Sequence, residues 1–103
     1  MKKFISYGKN VYNKEEIFAV NNTLKKTTQM GVSVATFENK IAKIFGKKYG
    51  VMVNSGSSAN LVMIAALKKY FGWKSEDEII VCACGFPTTV NPIIQNGLKP
   101  VFV

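Results

Sequence analysis

Two short polar turns hold most of the residues in this sequence that could do chemistry. The first is NSGSSAN, Asn54 to Asn60, with three serines, two asparagines and one glycine between two apolar segments. Small hydrogen-bonding side chains and free amides at a helix start can cradle an anion such as phosphate, because that end of a helix is positively polarised. Glycine lets a ligand approach the backbone closely. The same residues would also make an ordinary turn that caps a helix, and residue types alone leave both readings open. The spacing is neither the nucleotide P-loop G-x-x-x-x-G-K-[ST] nor the dinucleotide turn G-x-G-x-x-G. The second turn is CGFPTT, Cys84 to Thr89. Phe86, beside the rigid Pro87, could stack on a planar ring; without a ligand the simpler reading is a plug in the core.

Acid–base chemistry is poorly provided for. The sequence has no histidine. Glu76, Asp77 and Glu78 read as a solvated connection before a strand, and Glu15 and Glu16 serve a helix start. No nucleophile, base and orienting group can be assembled, so no catalytic residue is expected within these 103 residues. Cys82 and Cys84 form a C-x-C in an apolar segment. Zinc sites use four ligands in wider pairs, so both are read as reduced, buried apolar residues and no metal is expected. The formal charge is +8, and all 14 basic residues are lysines. Without arginine the bidentate contacts that read guanine are missing, and the lysines are scattered, so nucleic acid is not an expected partner. No apolar run reaches the roughly 18 residues that a membrane span needs, and no secretory leader is read at the start.

The elements that must position these turns follow from periodicity and punctuation. NKEE, starting at Asn13, is a capping box that opens a first helix, with Ile17, Val20 and Leu24 on one face. A loop, Thr27 to Ser33, precedes a second helix with the stripe Phe37, Ile41, Ile44 and Phe45, ended by Gly46. These stripes read as core-packing faces. YGVMV, Tyr49 to Val53, reads as a strand buried on both faces. A third helix follows the serine turn and stops at Gly72. IIVCA, Ile79 to Ala83, reads as a second buried strand. VNPIIQN reads as a short helix with Pro92 near its first turn, closed by Gly97. PVFV, Pro100 to Val103, reads as a third strand. Strand, helix, strand, helix, strand gives a parallel sheet with helices packed on it. Both polar turns leave strand carboxyl ends, the rim where open parallel sheets bind ligands. The third strand is cut short and its sheet is under-covered, so the sequence is expected to be the front of a longer protein.

Taken in order, Met30-Gly31, VNSGSSANL, DEIIV and GFPTTVNPIIQNGLKPVFV make the sequence resemble the opening of the DegT/DnrJ/StrS-type sugar aminotransferases. The resemblance covers about Tyr7 to Val103. It implies an α/β fold, the start of the large domain of fold type I pyridoxal-phosphate (PLP) enzymes, with a parallel-rich sheet, flanking helices and two preceding N-terminal helices. Residues 1–48 would be an arm with two helices, and 49–103 the first units of the PLP-binding domain. By the same resemblance Gly56, Ser57 and Ser58 would hold the cofactor phosphate, Phe86 would lie against the pyridine ring, and Met30 and Gly31 would border the substrate. The family's Schiff-base lysine falls beyond residue 103, so this stretch alone would be inactive. The implied activity is a PLP-dependent transfer of an amino group, from a donor such as glutamate, to a nucleotide-linked keto sugar for deoxyamino-sugar or surface-polysaccharide synthesis. The implied assembly is a cytoplasmic homodimer without nucleic acid or membrane partners. The wording GFPTTVNPIIQNGL is most similar to a second branch, the CDP-4-keto-6-deoxyhexose 3-dehydrases of lipopolysaccharide synthesis, which use pyridoxamine phosphate (PMP). The reading from a different class is a non-catalytic α/β domain that binds an anion or merely caps a helix.

Overall fold

The computed structural model describes residues 5, 8–29 and 31–103. Its elements are α1 (Lys14–Lys26), α2 (Val32–Ile44), α3 (Gly56–Phe71), β1 (Glu78–Val81), α4 (Pro87–Gln95) and β2 (Lys99–Phe102). The chain divides into two compact units, Met1–Ala35 and Thr36–Val103. Among the described residues no helix is long and apolar enough to cross a membrane.

In the first unit, α1 begins as its sequence dictates. The Glu16 carboxylate accepts from the Asn13 amide at 2.7 Å. That contact holds the Glu16 carboxyl below the usual carboxylate range. Glu15 and Glu16 in the first turn and Lys25 and Lys26 in the last complement the helix dipole. No residue of α1 is buried, and Ile17, Val20 and Leu24 are each at least half exposed. The stripe expected to pack a core is therefore an open apolar face. On α2, most of which belongs to the second unit, the same correction applies to Phe37 and Ile44, and to Phe45 just after it; all three are exposed, while Ala42 is the buried residue.

The second unit holds the sheet. β1 and β2 pair in parallel, with Glu78 opposite Lys99 and Val81 opposite Phe102. A parallel pair cannot be joined by a tight hairpin, so the chain crosses over through α4. The core is Ile64 from α3, Val81 from β1, Ile93 from α4 and Leu98, with Trp73, Ile79 and Val90 packed against it. Lys99 Nζ lies 2.8 Å from Glu78 Oε1, and both side chains are more than half exposed. Solvent screens so exposed a pair, and it adds little to stability. α3 ends at Gly72, whose φ of 69° is the left-handed conformation that lets the Trp73 amide return to the Lys68 carbonyl at 3.0 Å.

Three sequence expectations are corrected here. Tyr49–Val53 is not a strand: among the described residues the sheet consists of β1 and β2, and this segment pairs with neither. An apolar run without a neighbouring strand has no ladder to join, and Tyr49 and Val51 are 73% and 78% exposed. The segment runs against α2 instead. The Met52 amide donates to Glu38 Oε1 at 2.7 Å. A side chain at Gly50 would come within 2.7 Å of the Glu38 carbonyl oxygen. Second, β1 ends at Val81, so Cys82 and Cys84 lie in the following loop and are exposed, not buried. Third, α4 begins at Pro87, before the expected start at Val90. Pro87 takes the first-turn position, and Pro92 falls in the helix interior.

Candidate functional site

Two side-chain bonds define how α3 and α4 lie together. Asn60 Nδ2 donates to the Thr88 carbonyl at 3.2 Å, and Lys68 Nζ donates to the Asn96 carbonyl. Each joins residues 28 apart in sequence, and the two bonds are eight residues apart on both helices. A constant offset means that the helices run side by side in the same direction. Their N-terminal turns therefore share one end of the pair. α4 starts beyond the carboxyl end of β1, so this end is the sheet rim that the sequence anticipated for CGFPTT.

The α3 end is a capped helix start. Ser55 is the N-cap residue, and its hydroxyl accepts from the Ser58 amide at 3.1 Å. The Ser55 and Ser58 hydroxyls are 3.1 Å apart, so Ser58 is drawn into the cap and lies half-buried. The amides of Gly56 and Ser57 belong to the first turn and have no carbonyl within the helix to bond. Gly56 itself is informative. Its backbone is helical, not left-handed, and a Cβ built on it meets nothing within 4 Å. Neither conformation nor a neighbour among the described residues requires glycine, although glycine in a helix costs about 0.5–1 kcal/mol relative to alanine. What a side chain there would fill is the open space in front of the first-turn amides.

The α4 end supplies the second half. Phe86 is the N-cap residue of α4, in extended conformation, and its ring is 69% exposed. Phe86 is therefore not a plug in the core formed by these residues. Ser57 and Ser58 from α3, with Thr88 and Asn91 from α4, line a cleft of about 210 Å³ between the helix starts. Phe86 borders this region two residues before Thr88 and is not part of the cleft lining. Gly31 lies in the first unit, exposed, just before α2, where its carbonyl accepts from the Ala35 amide at 3.0 Å. Its neighbours Gln29 and Val32 line a separate cleft of about 520 Å³. Met30 lies outside the described residues.

The structure thus brings Gly56, Ser57, Ser58 and Phe86 to one end of a helix pair. It adds three residues that sequence reasoning did not single out. Ser55 makes the cap, Thr88 offers a carbonyl, and Asn60 bonds it. The signal for Asn60 was in the sequence, because a helix begun at Pro87 puts Pro92 where it must leave the Thr88 carbonyl unpaired.

Residues 10–103 match the sequence model of the DegT/DnrJ/EryC1/StrS aminotransferase family. The GDP-4-keto-6-deoxy-D-mannose 3-dehydratase of Escherichia coli O55:H7 is 48% identical over 91 residues, covering 85% of this chain and 24% of that protein. The dTDP-4-amino-4,6-dideoxy-D-glucose transaminase of Shigella dysenteriae is 33% identical over 79 residues, covering 77% of this chain and 20% of that protein. The solved structure of the E. coli GDP-4-keto-6-deoxy-D-mannose-3-dehydratase with bound hydrated PLP superposes with a TM-score of 0.81 at 44% identity. That match covers 92% of this chain and 25% of the solved one. The chain spans about a quarter of the length of the relatives it matches.

Proposed function

The chain belongs to the DegT/DnrJ/EryC1/StrS aminotransferase family, and from that membership we propose that it is the N-terminal, phosphate-holding part of a PLP-dependent enzyme acting on a nucleotide-linked keto sugar. The observation that carries the proposal is the parallel α3–α4 pair. The helix start at Gly56 and Ser57 and the exposed Phe86 at the start of α4 belong to the same end of that pair, which supports this reading.

The residues fit the cofactor. A phosphate would take the Gly56 and Ser57 amides and the Ser57 hydroxyl, in the space that a Cβ on Gly56 would fill. Ser58 orients that turn through Ser55. Phe86 offers an apolar face on which a planar ring can rest, and the contact shields that side of the ring from water. PLP, when bound, supplies an electron sink for bond changes on the sugar. In this reading residues 49–103 open the large domain and residues 1–48 form its arm. Met30 and Gly31 border the substrate, and the whole protein works as a cytoplasmic homodimer.

Two reactions suit that machinery. A 3-dehydratase replaces the sugar's 3-hydroxyl by hydrogen: the hydroxyl leaves as water, and the two electrons come from an amino donor such as glutamate, which is released as its 2-oxo acid and ammonia. An aminotransferase exchanges the keto oxygen for an amine taken from a donor such as glutamate. The higher identity to a named 3-dehydratase, 48% against 33% for a named transaminase, favours the first. The test is to incubate the full-length protein with PLP, glutamate and GDP-4-keto-6-deoxymannose and identify the sugar by mass spectrometry. A 3-deoxy product supports the dehydratase, and a 4-amino product the aminotransferase. An unchanged sugar from protein that has bound PLP would overturn the substrate class.

A further inference from the structure

We propose that Asn60 is a positioning residue, one that sets the phosphate-holding turn of α3 against the Phe86 end of α4 by bonding the carbonyl that Pro92 leaves unpaired. The inference rests on the cofactor reading given above.

Pro92 sits inside α4 and is buried. It has no N–H, so the Thr88 carbonyl, four residues earlier, loses the donor that a regular helix would give it. A buried or half-buried carbonyl without a donor is costly. Asn60 Nδ2 fills the vacancy at 3.2 Å, in a part-buried setting. Of the two ends of the Asn60 carboxamide only the NH₂ can do this, because the carbonyl oxygen accepts and never donates. The proline therefore turns an internal helix bond into a bond between two helices.

The location of that bond gives it a role beyond satisfying one carbonyl. Asn60 lies one helical turn after Gly56, and Thr88 lies two residues after Phe86. The Asn60–Thr88 bond is thus a short, stiff link between the first-turn amides and the aromatic ring. The second tie, from Lys68 to the Asn96 carbonyl, is made by a long flexible side chain at the far ends of both helices. It holds the pair together without fixing the register at the site. A cofactor that must place its phosphate on one helix and its ring on the other requires that register to be set.

A second substitution separates positioning from simple satisfaction. In Pro92→Ala the new amide can bond the Thr88 carbonyl, so α4 no longer needs Asn60, yet the link between the helices still does. Four forms of the full-length protein are compared: wild type, Asn60→Ala, Pro92→Ala and the double variant. Each is titrated with PLP, followed by the visible circular dichroism of the bound cofactor, and each is unfolded thermally without it. We expect Asn60→Ala to lower the unfolding midpoint in the wild-type background and to leave it nearly unchanged in the Pro92→Ala background. We expect it to weaken PLP binding by about 3- to 10-fold in both backgrounds, the loss of one hydrogen bond, with an altered dichroism signal. Equal PLP affinity and dichroism in Pro92→Ala and the double variant would overturn the proposal, since Asn60 would then only satisfy a carbonyl. A wild-type protein that takes up no PLP would overturn the cofactor reading, and this proposal with it. That outcome is distinct from equal uptake by all four forms, which would remove Asn60 alone.

Discussion

α1 carries a capping box, acidic residues in its first turn and lysines in its last, and none of its residues is buried. α4 has a proline in its interior, no charged residue in its first or last turn, and a side chain, Ile93, that is 2% exposed. The two helices form for different reasons. α1 is written in local chemistry: the Asn13–Glu16 cap and the dipole-matched ends act within one segment. α4 breaks a local rule at Pro92 and is held by its neighbours, through the core with Ile64, Val81 and Leu98 and through the Asn60 and Lys68 bonds from α3. A helix of the first kind can change without disturbing a site elsewhere. A helix of the second kind transmits changes to whatever its neighbours hold, and α3 holds the candidate phosphate turn.

The contrast can be broken most forcefully at Ile93. Ile93→Ala should destabilise by about 2–5 kcal/mol, the usual loss for emptying a packed site, as read by urea unfolding. A change below about 0.5 kcal/mol, the size typical of surface substitutions, would mean that α4 is not held by its core. A smaller effect is expected at the cap of α3. Ser55→Ala removes the acceptor for the Ser58 amide and should cost about 1 kcal/mol, with weaker PLP binding because the turn loosens. Stability lost without any change in PLP binding would separate the cap from the site.

The smallest effect should be found on α1, and it sharpens the contrast through pH. The Glu16 carboxyl is held below its usual range, chiefly by the Asn13 amide. A lowered folded-state value means that the stabilising contact is complete above the ordinary carboxylate range and is lost as pH falls through the lowered value. Amide exchange at the start of α1, taken relative to the intrinsic rate at each pH, should therefore lose protection on acidification, and Glu16→Gln should remove most of that pH dependence. The α3–α4 amides should not follow the same curve. If they did, the two regions would not be independent.

The parts of the fold legible in the sequence are those fixed by short-range chemistry. The Asn13 box, the helix stop at Gly72 and the serine turn as a helix start are all signalled by residues within one turn of the feature. Gly97, with φ of 66°, likewise closes α4 as its position foretold. What was illegible depends on partners. Tyr49–Val53 has the composition of a buried strand, but a strand exists only beside another, and the two strands here pair with each other. Cys82 and Cys84 look buried in an apolar run, yet the strand ends one residue before the first of them. The start of α4 was misplaced because Pro92 was read as a helix opener while Pro87 already filled that position. That error also hid Asn60, whose bond makes sense only once the proline is inside the helix. Of the candidate site, Gly56, Ser57, Ser58 and Phe86 were visible as residue types. That the two turns share one end was also anticipated, but through a strand at Tyr49–Val53 that is absent; the side-by-side run of α3 and α4 was not legible, because it shows only in bonds between residues 28 apart.

The most direct measurement is PLP binding by the full-length protein, wild type against Gly56→Val, followed by cofactor absorbance. Among the described residues no atom lies within 4 Å of a Cβ built there, so the fold should survive while the space before the first-turn amides is filled. Tight binding by the wild type and a loss of more than about tenfold in the variant, which is 1.4 kcal/mol, is the predicted result. Equal binding by both would contradict the account, because the cofactor phosphate would then lie somewhere other than the Gly56–Ser57 turn.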